Sequence, residues 1–350
     1  MMNQIADRSV RSSIGRKAAL GFGFAIMALG ALILISFSVG RYPVSLNELW
    51  LLLWSKISGM PSGLPIAAET VVLKVRGPRL IASMIVGGSL AVSGGVYQGL
   101  FRNPLVSPDI LGVSSGAALG AVLGIYFSLG VVGIQILAFA GGLSAVAAVY
   151  LIGVFLRQHD PILTLVLAGV VIGTLLGSVV GLIKYLADPY NQLPAITFWL
   201  LGSLTGITSA DVWVILPAIV LGLTPLYLLR WRMNVMTLGD EEAQALGVDT
   251  RQIRLIVISA ATLITAAAVS VSGIIGWIGL LIPHLARLLV GPDFGRLLPA
   301  SILLGAGYLL GVDTLARTIS TVEIPLGVLT AFIGTPFFIW VLARSQTGWR

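Results

Sequence analysis

Stretches of about 18 or more apolar residues recur along the whole chain, and each is enough to cross a ~30 Å hydrocarbon layer as an α-helix. This recurrence constrains the fold more than any motif: it describes an all-α polytopic membrane protein. The charge content agrees. Only 10% of the 350 residues are charged, against roughly a quarter in a soluble domain. No stretch keeps soluble composition for more than about 35 residues, so residues 1–350 read as one transmembrane domain.

The hydropathy pattern places spans at about 18–39, 80–101, 111–130, 134–156, 162–186, 211–230, 254–273, 278–290, 298–316 and 326–343. That is about ten helices, the eighth of them short. A basic tail, residues 1–17 with Arg8, Arg11, Arg16 and Lys17, precedes the first. The run Ala18–Val39 is longer than the apolar core of a cleaved signal peptide and reads as a retained helix.

With the N-terminus in the cytoplasm, Lys/Arg at 8, 11, 16, 17, 102, 157, 230, 232, 251, 254, 287, 296, 344 and 350 lie inside. Those at 41, 56, 74, 76, 79, 184 and 317 lie outside. The two-to-one excess supports this orientation, with both termini cytoplasmic. Five spans per half would give the halves opposite orientation. A weak likeness between "PRLIASMIVGGSLAVSGG" (78–95) and "IRLIVISAATLITAAAVSVSG" (253–273) fits such an inverted repeat.

The absence of cysteine removes disulfide, thiolate and Cys-ligated metal chemistry. Two histidines make a His-rich metal site improbable. The basic excess in such a chain reports topology, not nucleic acid. An ion-coupled carrier keeps ionisable residues at mid-membrane, yet the spans are nearly empty of them: Lys184, Asp211, Asp313 and Arg317 sit near outer helix ends. His284, after Pro283, reads as structural. No HExxH, GxSxG or paired carboxylate occurs in a span, so an intramembrane enzyme lacks its groups. No GxxxxGK[ST] loop is present for ATP.

Glycines recur four apart at 112, 116, 120 and 124, and again at 169, 173, 177 and 181. Such stripes let helices approach closely; alternatively one of them lines a path or a sliding seam.

Two polar stretches interrupt the apolar pattern at the inner face. In "LGDEEAQALGVDTRQIR" (238–254), Asp240, Glu241 and Glu242 suit the first turn of a short helix. Gly247 suits the left-handed residue that ends it. Asp249 with Gln252 resembles a capping box for the next span. The pattern predicts a short helix, a break, then a membrane helix: a rigid elbow, or else an ordinary solvated loop. In "FRNPLVSPDILGVSSGAALG" (101–120), Pro104 and Pro108 exclude a continuous helix. On the outer side, residues 185–199 are polar and turn-rich.

Five ordered stretches resemble the permease subunits of type II ABC importers, the FecCD-type family that moves iron-siderophores, haem and cobalamin. They are residues 76–120, "FWLLGSL" (198–204), residues 238–254, "GIIGWIGLLIPHLARLLVGPD" (273–293) and "EIPLGVLTAFIGTPFFIWVL" (323–342). The family often has Leu before the proline of its R-x-P-R word; Gly77 stands there in this chain.

The resemblance implies a homodimer in a bacterial inner membrane. It implies two cytoplasmic ATPase subunits that hold ATP and Mg²⁺, no cofactor in this chain, and a periplasmic or lipid-anchored binding protein above. It implies that segment 231–253 couples to the ATPase through Gly239, Asp240, Glu241, Glu242, Ala245, Leu246, Gly247 and Val248. Arg76, Arg79 and Arg317 are expected to dock the binding protein, or else to be plain interfacial anchors. The pathway and its inner gate are expected at Arg102, Asn103, Pro104, His159, Asp160, Thr164 and Leu167. The expected cargo is an iron-siderophore or haem, with cobalamin or an oxyanion such as molybdate as the alternative. An ion-coupled secondary carrier is the competing class.

Overall fold

The computed structural model describes residues 21–156 and 161–345. The chain runs through α1 (Gly21–Ser38), α2 (Leu46–Ser58), α3 (Ile66–Leu100), a 3₁₀ turn (Pro108–Leu111), α4 (Val113–Tyr126), α5 (Val131–Leu156), α6 (Pro161–Leu186) and α7 (Gln192–Leu200). It continues through α8 (Ser209–Leu228), α9 (Arg230–Met236), α10 (Asp240–Ala245), α11 (Thr250–Ser272), α12 (Ile278–Val290), α13 (Phe294–Thr318) and α14 (Leu326–Ser345). Seven of these, α1, α3, α5, α6, α8, α11 and α13, are long and apolar enough to span a membrane. The shorter apolar helices α4, α12 and α14 complete the ten spans expected from hydropathy.

The largest departure is at α3, which begins fourteen residues before the expected position 80. Prolines normally end a helix because the ring lacks an N–H and strikes the carbonyl four residues back. Here the helix widens into a π turn over Val71–Arg76, and the Gly77 N–H bonds the Val72 carbonyl. The bulge carries the helix past Pro78. A side chain on Gly77 would crowd that Val72 oxygen, so the residue that departs from the R-x-P-R word has a local reason.

Helices α3 and α11 form the centre and are mostly buried. They run in opposite directions and touch each other. α3 packs on α12 and α13; α11 packs on α4 and α5. Within each half, α4, α5 and α6 pack together, as do α12, α13 and α14. The two halves thus repeat one packing scheme with reversed direction, the inverted plan expected from the weak internal likeness.

The two glycine stripes, alike in sequence, differ in use. A methyl group on Gly116 or Gly120 would overlap the backbone of Gly141 or Leu137 in α5. The first stripe is therefore a packing seam. In the second, Gly169 abuts the Ile110 backbone, whereas nothing lies within 4 Å of Gly177 or Gly181. The outer half of that stripe is open on this chain.

Candidate functional site

At one end of the bundle the predicted elbow is present. α10 carries Asp240, Glu241 and Glu242 in its first turn, where the helix dipole favours anions. It ends in a Schellman motif: the Gly247 N–H donates to the Gln244 carbonyl and the Val248 N–H to the Ala243 carbonyl, each at 2.9 Å. Gly247 is left-handed, φ +80°, a conformation that costs any residue with a Cβ about 1–2 kcal/mol. Asp249 then caps α11 through the Gln252 N–H at 3.0 Å.

Three links bind the elbow to the helix behind it. The Arg254 Nη2 donates to both Asp240 oxygens, at 2.8 and 2.7 Å. The Gln244 amide donates to the Thr250 hydroxyl at 3.1 Å. Ala243 and Val248 are buried within the main apolar core. The ion pair alone is partly exposed on the Asp240 side and worth roughly 0–1 kcal/mol; the buried apolar residues and the caps carry the rest of the stiffness. The outward face presents Glu241, Glu242, Ala245 and Leu246, all exposed.

The 101–112 turn lies beside the elbow. Arg102 is exposed and has a positive φ of 49°. Its guanidinium nitrogen Nη1 lies 3.5 Å from where a Cβ on Gly239 would stand. Asn103 caps the turn, its Oδ1 accepting the Leu105 N–H at 2.9 Å, and Pro104 is half-buried. Asn234, in α9, bridges to the α12–α13 connection. Its amide donates to Asp293 at 2.8 Å and its oxygen accepts the Phe294 N–H at 2.9 Å. Of the remaining gate candidates, Thr164 is buried and Leu167 exposed, both on α6. His159 and Asp160 lie outside the described residues.

At the opposite end the three docking arginines meet a different fate from the expected one. Arg76, Arg79 and Arg317 are buried, with 5%, 7% and 8% exposure. Arg79 Nε lies 2.9 Å from Asp313 Oδ1, and its Nη1 and Nη2 pair with Glu323 at 3.1 and 2.9 Å. Arg317 Nε reaches Asp313 Oδ2 at 3.2 Å, and its Nη2 bonds the Ser36 hydroxyl at 3.0 Å. Arg76 donates to the carbonyls of Phe37, in the last turn of α1, and of Tyr42, just past its end.

The expectation of outward-facing docking contacts is corrected: the guanidiniums are spent inside the chain. Asp313 and Glu323 supply the carboxylates that a buried cation needs. The cluster ties α1, α3, α13 and the loop before α14. Burial opposes ionisation of Glu323, but hydrogen bonds from Arg79 and Thr205 and the charge of Arg79 hold its carboxyl below the usual range.

Four further features are not expected from the sequence. α2, α7 and α9 are helices in segments to which hydropathy assigns no span. The "SLNE" word at 45–48 signalled α2, since Ser45 and Glu48 form a full capping box. The carboxylate of Glu323 had no local signal; its partner is 244 residues away.

A bundle of ten apolar helices with an inverted internal repeat, and a rigid acidic elbow projecting at one end, defines a multi-span transport permease. The FecCD transport family model matches residues 28–344, and the chain belongs to that family of ABC importer permeases. It is 38% identical over 314 residues to the molybdate import permease MolB of Haemophilus influenzae, covering 90% of this chain and 92% of that one. It is 44% identical over 285 residues to the cobalamin import permease BtuC of Halobacterium salinarum, covering 81% and 76%. A solved ABC transporter of metal-chelate type, in an inward-facing conformation, superposes with a TM-score of 0.83 at 37% identity, covering 92% of this chain and 98% of that one.

Proposed function

We propose that this chain is the membrane subunit of an ATP-driven importer for an iron-siderophore or haem, and that residues 239–248 are its coupling lever. The observation that carries this reading is the stiff junction between α10 and α11. α11 is buried against α3, α4, α5 and α8, so a push on the elbow's outward face moves the centre of the bundle, not a loop. In this reading the elbow end faces the cytoplasm, and two ATPase subunits, which hold ATP and Mg²⁺, dock on Glu241, Glu242 and Leu246. ATPase closure shifts the permease between outward- and inward-facing states by its unequal affinity for the two.

A second copy of the chain covers the exposed face of α6, where Leu167, Val171 and Leu175 stand out and Gly177 and Gly181 have open space. The hydroxyls of Thr174 and Ser178 on α6 are turned back onto the carbonyls of Val170 and Thr174. A path along this face is bland, which suits a bulky chelate chosen beforehand by a binding protein. The metal-chelate type of the solved relative supports the same cargo. The likeness to a molybdate permease favours a second reading, an oxyanion cargo.

The test is reconstitution of the permease with its ATPase and loaded binding protein in lipid vesicles. Glu242→Arg is expected to abolish cargo-stimulated hydrolysis and uptake while leaving the purified permease folded. Unchanged coupling would remove the lever. Uptake of labelled haem or ferric chelate against labelled molybdate, in the same vesicles, decides the cargo. Uptake without the ATPase, lost when an ion gradient is collapsed, would point to an ion-coupled carrier instead.

A further inference from the structure

Helix α2 has three faces. At about 100° per residue, Leu49 and Leu52 share one side, and both are buried against Val44, Val72, Phe37 and Leu64. Asn47, Glu48, Ser55 and Ser58 lie on a second, mainly polar side that also carries Leu51, and the exposed Lys56 falls between Leu49 and Leu52. Leu46, Trp50, Leu53, Trp54 and Ile57 make a third stripe, at positions i, i+4, i+7, i+8 and i+11, about a third of a turn from the buried side. All five are exposed, Trp50 at 63%, Trp54 at 54% and Ile57 at 80%. A short helix in water does not expose five large apolar groups on one side while placing its polar groups on another.

We propose that this stripe lies in the lipid interface, with its apolar side chains below the headgroups and its polar side toward water. The first turns of the adjoining α3 also expose apolar side chains, Ile66, Leu73 and Val75. Its level fits. α3 has 35 residues and is about 52 Å long, against a hydrocarbon core of ~30 Å. The first turns of α3 therefore stand beyond the core, and α2 packs there, on Val72. Paired tryptophans with an apolar body and a polar N–H are the residues that settle at this depth.

The helix is stapled to the bundle. Its own N-terminus is closed by the Ser45–Glu48 box, and the preceding loop is held by Arg76 through the Tyr42 carbonyl at 2.6 Å. An interfacial helix fixed in this way sets the depth of α3 and of the Arg76–Arg79–Asp313 cluster beside it. Amphipathic helices of this kind bury their apolar face about 5–10 Å into the headgroup–acyl boundary.

The absence of cysteine makes the test direct. Single cysteines are introduced at Trp50, Leu53, Trp54 and Ile57, and at Asn47, Ser55 and Ser58, in the full chain. They are spin-labelled and reconstituted in phospholipid vesicles. Collisions with molecular oxygen, which concentrates in the bilayer, are compared with collisions with a water-soluble nickel chelate. The first set is expected to favour oxygen by roughly threefold or more over the second, with the helical period. Equal access to nickel on both sets, or exclusion of both reagents from the first set, overturns the proposal, the latter by showing protein over the stripe. The unsubstituted chain gives a second measurement. A carbene reagent dissolved in the bilayer is expected to label peptide 46–58 on the stripe residues; labelling confined to the long spans overturns it.

Discussion

Replacing Asp313 by asparagine keeps the shape of the side chain and removes its charge. Asp313 is fully buried, and it is the carboxylate that Arg79 and Arg317 share. After the change Arg79 keeps Glu323, while Arg317 keeps no carboxylate within ion-pair distance among the described residues. Breaking a buried pair by removing one partner costs about 3–5 kcal/mol, because an uncompensated charge stays behind. The unfolding equilibrium constant is then expected to rise by a factor of roughly 10²–10⁴.

The companion variant Glu323→Gln is expected to cost only about 1 kcal/mol, since that side chain is 29% exposed. Its cost should shrink at high salt, while that of Asp313→Asn should not. Denaturant titration of the detergent-solubilised permease, followed by tryptophan fluorescence, measures both. Combining Asp313→Asn with Arg317→Met should restore part of the lost stability, because the orphaned cation is the source of the cost. An Asp313→Asn permease within about 1 kcal/mol of the parent would falsify the account of the cluster as an electrostatic tie.

Three further outcomes are expected. The stability difference between the parent and Glu323→Gln should be constant above the ordinary glutamate value of 4.5 and narrow as pH falls below it. The folded carboxyl titrates lower than the unfolded one, so the unfolded chain takes up its proton first; thermal midpoints from pH 7 down to pH 4 read this, and a difference that grows on acidification contradicts it. Gly94→Ala should lower the thermal midpoint, because its methyl group would overlap the Gly279 backbone of α12 at a cost of about 1–3 kcal/mol, whereas Gly177→Ala, inside a helix with open space around it, should not lower it. Gly247→Ala should cost about 1–2 kcal/mol at the elbow; a reconstituted transporter with undiminished ATPase coupling after this change would mean that the Schellman turn does not carry the push.

Much of this was readable in the order of the residues, for a definite reason. Spanning helices follow from hydropathy summed over one segment, and the span expected at 278–290 coincides with α12. The elbow was readable because caps and left-handed glycines act within about five residues: Asp249 and Gly247 each need only their neighbours. α2 is signalled in the same way, through Ser45 and Glu48, although hydropathy assigns it no span.

Tertiary structure decided whatever depends on partners distant in sequence. Gly116 and Gly177 sit in stripes of identical spacing, yet one meets a helix and the other open space, because only packing brings α5 to the first. Arg79 looks like a surface cation until Asp313 and Glu323, more than 230 residues on, close over it. Caps, turns and hydropathy are short-range, so they can be read along the chain. The pairing of a buried charge and the use of a glycine face are long-range and belong to the folded bundle alone.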